Sequence, residues 1–253
     1  QGVSAMGIFR FKKFSVKNER SAMKVNTDGV LLGAVMHISA DDRTLLDIGT
    51  GTGTIALMAA QRCADLHAGK NLLAAGIRIE SIDIDEASVL EARDNFSCSP
   101  WGEILHAFHC SLEVFAAQNE RKYDLIFSNP PYFDCSLMAP EQRRNAARHT
   151  SCGLSYRELA EFASERLAPD GRLAIVLPAD QENALLRHAR MCGLFPQRLT
   201  RVRTVPRKRP SRVIAEFTRT RCAVPEECLL TIQDEGEYTS EYISLTRDFY
   251  LQF

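Results

Sequence analysis

The stretch that decides the fold of this chain is residues 45–53, which read Leu45-Leu46-Asp47-Ile48-Gly49-Thr50-Gly51-Thr52-Gly53. A short apolar run, typical of a buried parallel strand, passes into alternating glycines and then into a helical pattern over residues 54–62. Glycine lets the backbone turn tightly and approach a ligand closely. The first N–H groups of the following helix have no partner inside the helix, so they can face that ligand. The stretch therefore predicts a strand, a ligand-binding loop and a helix.

Two acids accompany this loop. Asp47 precedes the glycines, and no Gly-Lys-Ser/Thr follows them, which argues against a phosphate-binding P-loop. Asp83 ends a second apolar run, where an acid can hold ribose hydroxyls. This combination resembles the S-adenosylmethionine site of the Rossmann-like methyltransferases. A glycine-rich turn with structural acids is the alternative interpretation.

The composition excludes several other classes of protein. The formal net charge is -1, so any nucleic-acid surface must be a local patch. The 8 cysteines contain no C-x-x-C pair, which argues against both a zinc site and a disulfide framework and fits a reducing cytoplasm. No apolar run reaches the roughly 18 residues that a membrane span requires. We expect a cytoplasmic protein with no signal peptide, no metal and no membrane contact.

Strands and helices alternate after the loop, as a parallel sheet requires. Strands are predicted at 77–83, 104–110, 123–128 and 172–177, and two more at 193–205 and 212–221 are expected to form a hairpin. Helices are predicted at 86–96, 155–167 and 180–192, followed by a strand around 229–232 and a helix over 240–249. Residues 133–154 form the longest segment without a predicted element, which is typical of a lid, a binding loop or a disordered segment.

Asn129, Pro130, Pro131 and Tyr132 follow the strand at 123–128. Because ligands lie beyond the carboxyl ends of parallel strands, Asn129 is expected to face the same crevice as the glycine loop. Prolines have no N–H and hold the backbone extended, which leaves carbonyl groups available as acceptors. The Asn129 side-chain oxygen and one such carbonyl can orient a planar amine without a strong base. Tyr132 can stack on a base swung out of its helix or loop. A strand-ending turn is the alternative.

The front of the chain carries a more specific resemblance. Residues 9–16, FRFKKFSV, residues 22–34, AMKVNTDGVLLGA, and the ending 242–250, YISLTRDFY, are similar to the bacterial tRNA1(Val) (adenine-N6)-methyltransferase family. The glycine loop and residues 129–132 alone fit class I enzymes that methylate adenine N6, guanine N2 or a glutamine amide. Too few residues precede the loop for the helical domain of the glutamine methyltransferases. No segment as large as the target-recognition domain of the DNA adenine methyltransferases follows Tyr132.

The resemblance implies an α/β, Rossmann-like class I methyltransferase fold, with a mostly parallel seven-stranded sheet, helices on both faces and an antiparallel edge hairpin. It implies one domain over residues 1–253, with an N-terminal extension (1–40), a core (41–222) and a C-terminal extension (223–253). The implied cofactor is S-adenosylmethionine and the implied reaction is N6-methylation of adenosine 37 in tRNA1(Val). A ribosomal RNA guanine-N2 methyltransferase, a protein glutamine-N5 methyltransferase and a non-catalytic cofactor- and RNA-binding protein remain alternatives. We expect a monomer.

The predicted catalytic residues are Asn129, Pro130, Pro131 and Tyr132. The predicted cofactor-binding residues are Thr27, Asp28, Asp47, Gly49, Gly51, Gly53, Asp83, Ile84, Ser111 and Asn129. Thr27 or Asp28 also suits the cap of a helix over 30–37, which is the alternative reading of both. Many members of the superfamily place an acid after the third strand to hold the adenine amine. This chain has Cys110-Ser111-Leu112 there, so Ser111 is expected to offer a hydroxyl instead.

Basic residues cluster in three segments of the chain, 10–13, 143–148 and 198–221. Residues 198–221 contain nine arginines and lysines against one acid, Glu216, which favours a phosphate-binding patch. Phenylalanines alternate with basic residues over 9–14, which predicts a short exposed strand with one basic face. A solvated hairpin and a solvated edge strand are the respective alternatives. The predicted RNA-binding residues are Arg10, Lys12, Lys13, Arg143, Arg144, Arg148, Arg207, Lys208 and Arg209.

Overall fold

The computed structural model describes residues 7–68, 70–131 and 154–253. Tyr132, Arg143, Arg144 and Arg148 lie outside these described residues, as does most of the predicted binding loop at 133–154. The strands are β1 (Ile8–Arg10), β2 (Ser15–Lys17), β3 (Thr44–Ile48), β4 (Arg78–Asp83), β5 (Leu105–His109), β6 (Tyr123–Ser128), β7 (Leu167–Pro178), β8 (Phe195–Arg203), β9 (Arg212–Thr218), β10 (Glu226–Thr231), β11 (Gln233–Asp234) and β12 (Glu237–Tyr238). The helices are α1 (Thr27–Val35), α2 (Thr54–Leu66), α3 (Glu86–Ser97), α4 (Leu112–Gln118), α5 (Tyr156–Arg166), α6 (Glu182–Met191) and α7 (Ser240–Thr246).

The central sheet confirms the predicted fold class. Its strand order is β10-β8-β9-β7-β6-β3-β4-β5, and every neighbouring pair is parallel except β7 with β9 and β8 with β9. The sheet has eight strands instead of the predicted seven, and the β8–β9 hairpin does not form its edge. The difference arises because β10 pairs with β8, from Glu226 opposite Arg198 to Thr231 opposite Arg203, and so uses the backbone groups that an edge strand would leave unpaired.

Helices cover both faces of the sheet because neighbouring residues of its strands point to opposite sides. Leu45 belongs to one buried apolar cluster, which also contains side chains of α1, α2, α3 and α7. Leu46 belongs to the other, which contains side chains of α4, α5 and α6. The near-continuous apolar runs predicted for the central strands are therefore buried on both faces, as a parallel sheet requires. Within the described ranges, no helix is long and apolar enough to cross a membrane.

The front segment differs from the predicted exposed strand. It forms a hairpin of β1 and β2, in which Phe11 and Phe14 are buried against each other with ring centroids 4.5 Å apart. Phe11 forms a β-bridge with Tyr250, and the Lys12 backbone N–H donates to the carbonyl of Phe249 at 2.8 Å. Aromatic burial therefore outweighs the basic alternation that suggested an exposed strand, and the hairpin is held by residues 249–253.

The strand directions place one set of chain connections at a single edge. Strands β3, β4, β5, β6 and β7 all run in the same direction. Strand β9 is antiparallel to both β7 and β8, so β8 runs in the same direction as β7. The carboxyl ends of β3, β4, β5, β6, β7 and β8 therefore meet at one edge. The glycine loop, Asp83, Asn129 and the β8–β9 connection all lie there. The predicted division into a core and two extensions stays a prediction.

Candidate active site

A cleft lies at this carboxyl edge, between the glycine loop and the segment that precedes α1. Its lining consists of Met23, Lys24, Val25, Asn26, Gly29, Gly49, Thr50, Gly51, Thr52, Thr54, Ile55 and Asn129. The glycine loop and the Asn-Pro-Pro segment are adjacent because of the register between β3 and β6. Ile48 is paired with Ser128, and the next residues are Gly49 and Asn129. The first residues of α2 complete the floor of the cleft, and the Gly53 cap supplies no side-chain hydrogen bond to their N–H groups.

Each glycine of the loop has a different structural reason. Gly49, Gly51 and Gly53 all have positive φ, at 75°, 54° and 80°. A Cβ at Gly51 would lie 3.3 Å from the carbonyl oxygen of Met23, so the loop touches the segment before α1. A Cβ at Gly53 would lie 2.5 Å from the ring of Phe96 on α3, so that glycine is required by helix packing. No atom lies within 4 Å of a Cβ at Gly49, which leaves open space there.

Asp47 is completely buried below this loop. Its Oδ2 accepts a hydrogen bond of 2.7 Å from the Thr50 hydroxyl, while Oδ1 has no hydrogen-bond partner among the described residues. Burial raises the pKa of the Asp47 carboxyl to about 7, and the Thr50 hydrogen bond only partly opposes that rise. A cation in the cleft would favour the charged form of Asp47, so the residue suits a positively charged ligand.

Asp83 ties the second strand to the loop. Its Oδ2 accepts from the Gly51 N–H at 2.8 Å and its Oδ1 accepts from the Asp85 N–H at 2.9 Å. Burial raises the pKa of Asp83, and these two backbone hydrogen bonds oppose the rise. Each carboxylate oxygen has a second lone pair, so hydroxyls of a ligand can be accepted in addition. Ribose binding by Asp83 stays a prediction.

Replacing Asp83 with alanine should weaken cofactor binding by about 1–3 kcal/mol, because hydrogen bonds to a charged group are lost. Titration calorimetry with S-adenosylmethionine measures the change. The matched control is Glu86→Ala, three residues away, which removes an exposed carboxylate from the first turn of α3. That control should cost less than about 1 kcal/mol of stability, the usual contribution of an acid near a helix N-terminus, and leave cofactor affinity unchanged. Equal affinities of wild type and Asp83→Ala would refute the assignment.

Asn129 is 4% exposed and follows β6 directly. Its Nδ2 donates to the Asn26 Oδ1 at 3.5 Å and lies 3.8 Å from the Met23 Sδ. Pro130 is buried and Pro131 is half-buried, so the backbone after Asn129 stays close to the sheet. The predicted stacking of Tyr132 falls outside the described residues and stays a prediction.

The segment at 17–26 was not predicted to belong to the site, and α3 holds it in place. Glu91 on α3 accepts three backbone N–H groups, from Glu19 at 2.7 Å and Arg20 at 2.9 Å on Oε1, and from Ser21 at 2.8 Å on Oε2. Asn95, one turn further, accepts from the Lys17 N–H at 2.7 Å. These contacts fix the strip of chain that leads to Met23 and Asn26 above the loop.

The cap of α1 corrects one sequence-based expectation. The N-cap is Asn26, whose side chain accepts from the Gly29 N–H, and neither Thr27 nor Asp28 fills that position. Thr27 is exposed in the first turn. Asp28 accepts from the Arg212 Nε at 2.8 Å, which joins the start of α1 to the start of β9. Cofactor binding by Thr27 and Asp28 stays a prediction.

Two further predicted residues lie at the same edge. Ile84 follows β4 and is 61% exposed, which is unusual for an isoleucine beside a buried strand. Ser111 follows β5 and caps α4, because its hydroxyl accepts from the Val114 N–H at 3.2 Å. The exposed Ile84 offers an apolar surface to a flat ring. The Ser111 hydroxyl retains its own hydrogen as a donor.

The basic residues divide into two groups. Five of the basic side chains in 198–221 form internal contacts: Arg198 with Glu216, Arg201 with Glu182 and Glu227, Arg203 with Thr231, Arg212 with Asp28, and Arg219 with the carbonyls of Ser164 and Leu167. Arg207, Lys208 and Arg209 are exposed in the β8–β9 connection at the carboxyl edge. The cationic surface near the cleft is therefore smaller than the sequence suggests.

The front basic residues lie elsewhere. Lys13 pairs with Asp65 near the carboxyl end of α2, and Lys12 donates to the carbonyl of Phe253. Helix α2 has 13 residues and begins at the glycine loop, so Lys13 is roughly 20 Å along the helix from the cleft. Arg10 is exposed on β1 of the same hairpin. These positions leave the β8–β9 connection as the described basic segment at the edge of the cleft.

The described residues fit S-adenosylmethionine. The cofactor has a sulfonium and an ammonium group, ribose hydroxyls and a flat adenine. Asp47 offers a buried carboxylate with one oxygen that has no hydrogen-bond partner among the described residues, Asp83 offers carboxylate oxygens at the end of the next strand, and Ile84 offers an exposed apolar side chain. The open space at Gly49 lets a ligand approach the backbone.

Known proteins match this chain over most of its length. Residues 21–192 match the family model described as methyltransferase small domain. The tRNA1(Val) (adenine(37)-N6)-methyltransferase of Bacteroides fragilis is 40% identical over 245 residues, which cover 96% of this chain and 98% of that protein. The protein of the same name from Flavobacterium psychrophilum is 37% identical, over 97% of this chain and 100% of that one.

Solved structures support the fold independently. The crystal structure of a predicted O-methyltransferase from Agrobacterium tumefaciens matches with a TM-score of 0.58 and 14% sequence identity, over 88% of this chain and 96% of that one. At that identity the likeness concerns the architecture alone. The sequence relationships carry the classification, because they cover 96–97% of the chain at 37–40% identity. By these matches and by the cleft described above, the chain belongs to the tRNA1(Val) (adenine(37)-N6)-methyltransferase family.

Proposed function

We propose that this chain transfers a methyl group from S-adenosylmethionine to the exocyclic N6 of adenosine 37 in tRNA1(Val). The observation that carries the proposal is that Asn129 lines the same cleft as Gly49 and Gly51. A methyl donor bound by the loop and an amine held by Asn129 would then meet in one place. The substrate itself follows from the relatives, which bear that name at 36–40% identity.

The cofactor supplies an electrophilic methyl group on a sulfonium. Asp47 and Asp83 would hold it at the ends of β3 and β4, together with the free N–H groups at the start of α2. Asn129 accepts a hydrogen bond from the adenine amine and orients it. The amine lone pair is delocalised into the ring, so the acceptors at Asn129 would draw N6 towards a tetrahedral geometry in which it can attack the methyl carbon. S-adenosylhomocysteine would leave, and the methylated amine, which is then acidic, would lose its proton to solvent, so positioning contributes most of the catalysis and no strong base is needed. Pro130 has no N–H that would compete for the same acceptors.

The edge of the sheet also supplies a surface for the RNA. Arg207, Lys208 and Arg209 are exposed in the β8–β9 connection, which lies at the same edge as Asn129. Arg212 ends that connection and pairs with Asp28 in the first turn of α1, next to the cleft. A phosphate backbone bound along this connection would bring a flipped base towards Asn129.

Neutralising Arg207, Lys208 and Arg209 together should weaken tRNA binding and flatten its salt dependence. Each lost phosphate contact should reduce the slope of log affinity against log salt by roughly 0.7–0.9. Filter binding at several salt concentrations measures the slope. The control replaces Arg121 and Lys122, exposed residues just before β6 at the opposite edge, and should leave the slope unchanged. A triple variant with the wild-type slope would show that the connection makes no contact with RNA.

The alternative reactions are separated by the nucleoside that is formed. We expect N6-methyladenosine in a tRNA1(Val) transcript incubated with the chain and S-adenosylmethionine, and none when adenosine 37 is replaced by guanosine. Nucleoside mass spectrometry after digestion measures both. Formation of N2-methylguanosine would support the ribosomal RNA alternative, and methylglutamine in protein fractions would support the glutamine methyltransferase. No transfer to any of these substrates would support the non-catalytic binding protein.

The proposal also places the chain in the cytoplasm as a monomer. The cysteines of the described residues are all free thiols, as a reducing compartment favours. Sedimentation analysis of the purified chain tests the monomer, and a dimer that dissociates with loss of activity would refute it.

A further inference from the structure

The Asn129 side chain contacts a residue that the sequence did not single out. The Asn129 Nδ2 is directed to two acceptors of the segment before α1, the Asn26 Oδ1 at 3.5 Å and the Met23 Sδ at 3.8 Å. A carboxamide is planar, and its oxygen and nitrogen lie on opposite branches. With the nitrogen directed at Asn26 and Met23, the Asn129 Oδ1 is turned away from that segment.

Asn26 is itself fixed at both ends of its carboxamide. Its Oδ1 accepts from the Gly29 N–H at 2.8 Å, and its Nδ2 donates to the Lys24 carbonyl at 2.9 Å. If the Oδ1 and Nδ2 of Asn26 were exchanged, the Nδ2 would face the Gly29 N–H and the Oδ1 would face the Lys24 carbonyl oxygen. The backbone of residues 24–29 therefore dictates that Asn26 presents an oxygen to Asn129. An exchanged Asn129 would in turn place two oxygens against each other, which is unfavourable.

We propose that Asn26 is a positioning residue for methyl transfer, because it holds the Asn129 carboxamide with the oxygen presented to the amine of the incoming base. The inference rests on the proposed function of Asn129 and adds the residue that orients it. Asn26 also caps α1, so the two duties must be separated by experiment. A residue that acts only as a cap is replaceable by any good cap, whereas a positioning residue must also reach Asn129.

Two substitutions separate these duties. Asn26→Ser keeps a good cap, but its hydroxyl is too short to serve the cap and reach Asn129. Asn26→Asp keeps both the cap and an oxygen directed at Asn129, but it loses the donation to the Lys24 carbonyl, so its side chain must turn slightly away from that carbonyl. We expect kcat for tRNA methylation to fall about tenfold in Asn26→Ser, roughly the effect of one hydrogen bond, and to stay within about twofold in Asn26→Asp. The melting temperature and cofactor affinity of Asn26→Ser should stay near those of wild type.

A second measurement does not depend on activity. In protein labelled with nitrogen-15 on asparagine, the Asn129 side-chain amide is assigned by its loss in Asn129→Asp. We expect its protons to exchange with water faster in Asn26→Ser than in wild type and in Asn26→Asp. This readout still decides the positioning role if the wild-type chain methylates no RNA, so failure of the proposed function is recognised separately.

Three results would overturn the inference. The first is wild-type kcat and wild-type amide exchange in Asn26→Ser. The second is an equal loss of kcat in both variants with an equal fall in melting temperature, which would mean that kcat follows the stability of α1 and not the contact with Asn129. The third is a loss of cofactor affinity in Asn26→Ser equal to its loss of kcat/KM, with unchanged amide exchange, which would make Asn26 a cofactor ligand.

Discussion

Replacing Asn129 with alanine is expected to lower kcat for tRNA methylation by about 10²–10³, while cofactor affinity stays near that of wild type. The reason is that the side-chain oxygen orients the amine mainly as the methyl group is transferred, and loss of one such preorganised group has effects of this size. Steady-state kinetics with tRNA1(Val) and calorimetry with S-adenosylmethionine measure the two quantities.

The control for this variant is Asn71→Ala. Asn71 is an exposed asparagine between α2 and β4, at the opposite edge of the sheet, and its side-chain oxygen accepts from the Ala74 N–H in its own turn. That variant should keep wild-type kcat. If Asn129→Ala lost cofactor affinity as strongly as it lost kcat/KM, Asn129 would belong to cofactor binding and the proposed chemistry would need another acceptor.

Replacing Glu91 with alanine is expected to lower the free energy of unfolding by about 3–5 kcal/mol. Glu91 is 2% exposed and accepts three backbone N–H groups from residues 19–21, so its removal leaves three donors without a partner. Cofactor affinity should fall as well, because the same residues lead to Met23 and Asn26 above the glycine loop. Urea denaturation gives the first quantity and calorimetry the second.

Asp94→Ala provides a matched control on the same helix. The Asp94 carboxylate is 42% exposed and forms only ion pairs with Lys17 at 3.4 Å and Arg20 at 3.7 Å. Exposed pairs of this kind contribute less than about 1 kcal/mol. Should the two variants be equally stable, the three hydrogen bonds to Glu91 would not be what holds the segment.

The central fold was predictable because its signals are local. Apolar runs ending in glycines or acids gave β3, β4 and β6, and the rule that ligands lie at the carboxyl ends of strands brought Asn129 to the glycine loop. The position of β10 was not predictable in this way. Its residues 226–229 are exposed, so its pattern does not indicate which strand it joins, and that depends on the free edge of β8.

The sequence did not predict the contributions of α1 and α3 to the site, and the reasons differ for the two helices. Asn26, Thr27 and Asp28 are three consecutive good capping residues, so the sequence does not distinguish the cap. Ser88, Glu91 and Asn95 form a polar stripe on α3, which ordinarily indicates a solvated face. In this chain the stripe is buried under residues 17–21, because Glu91 and Asn95 accept backbone N–H groups of that segment.

The arginines of residues 198–221 show a similar limit. Charge counting treats every arginine as available to RNA, yet Arg201 bonds to Glu182 and Glu227, which lie outside the segment that was counted. Acids distant in sequence become neighbours only after the sheet forms. Arg207, Lys208 and Arg209 escape this pairing because they lie in a connection and not in a strand.

The contact between the front hairpin and residues 249–253 affects how the chain folds during its synthesis. The Lys12 ammonium donates to the carbonyl of Phe253, 241 positions away in sequence, and Phe11 forms its β-bridge with Tyr250 beside it. Because the ribosome makes the front of the chain first, the hairpin emerges long before its aromatic partners exist. Contacts so distant in sequence also form slowly. The front hairpin leads into residues 17–26 above the glycine loop, so this segment is fully held in place only after residues 249–253 have been synthesised.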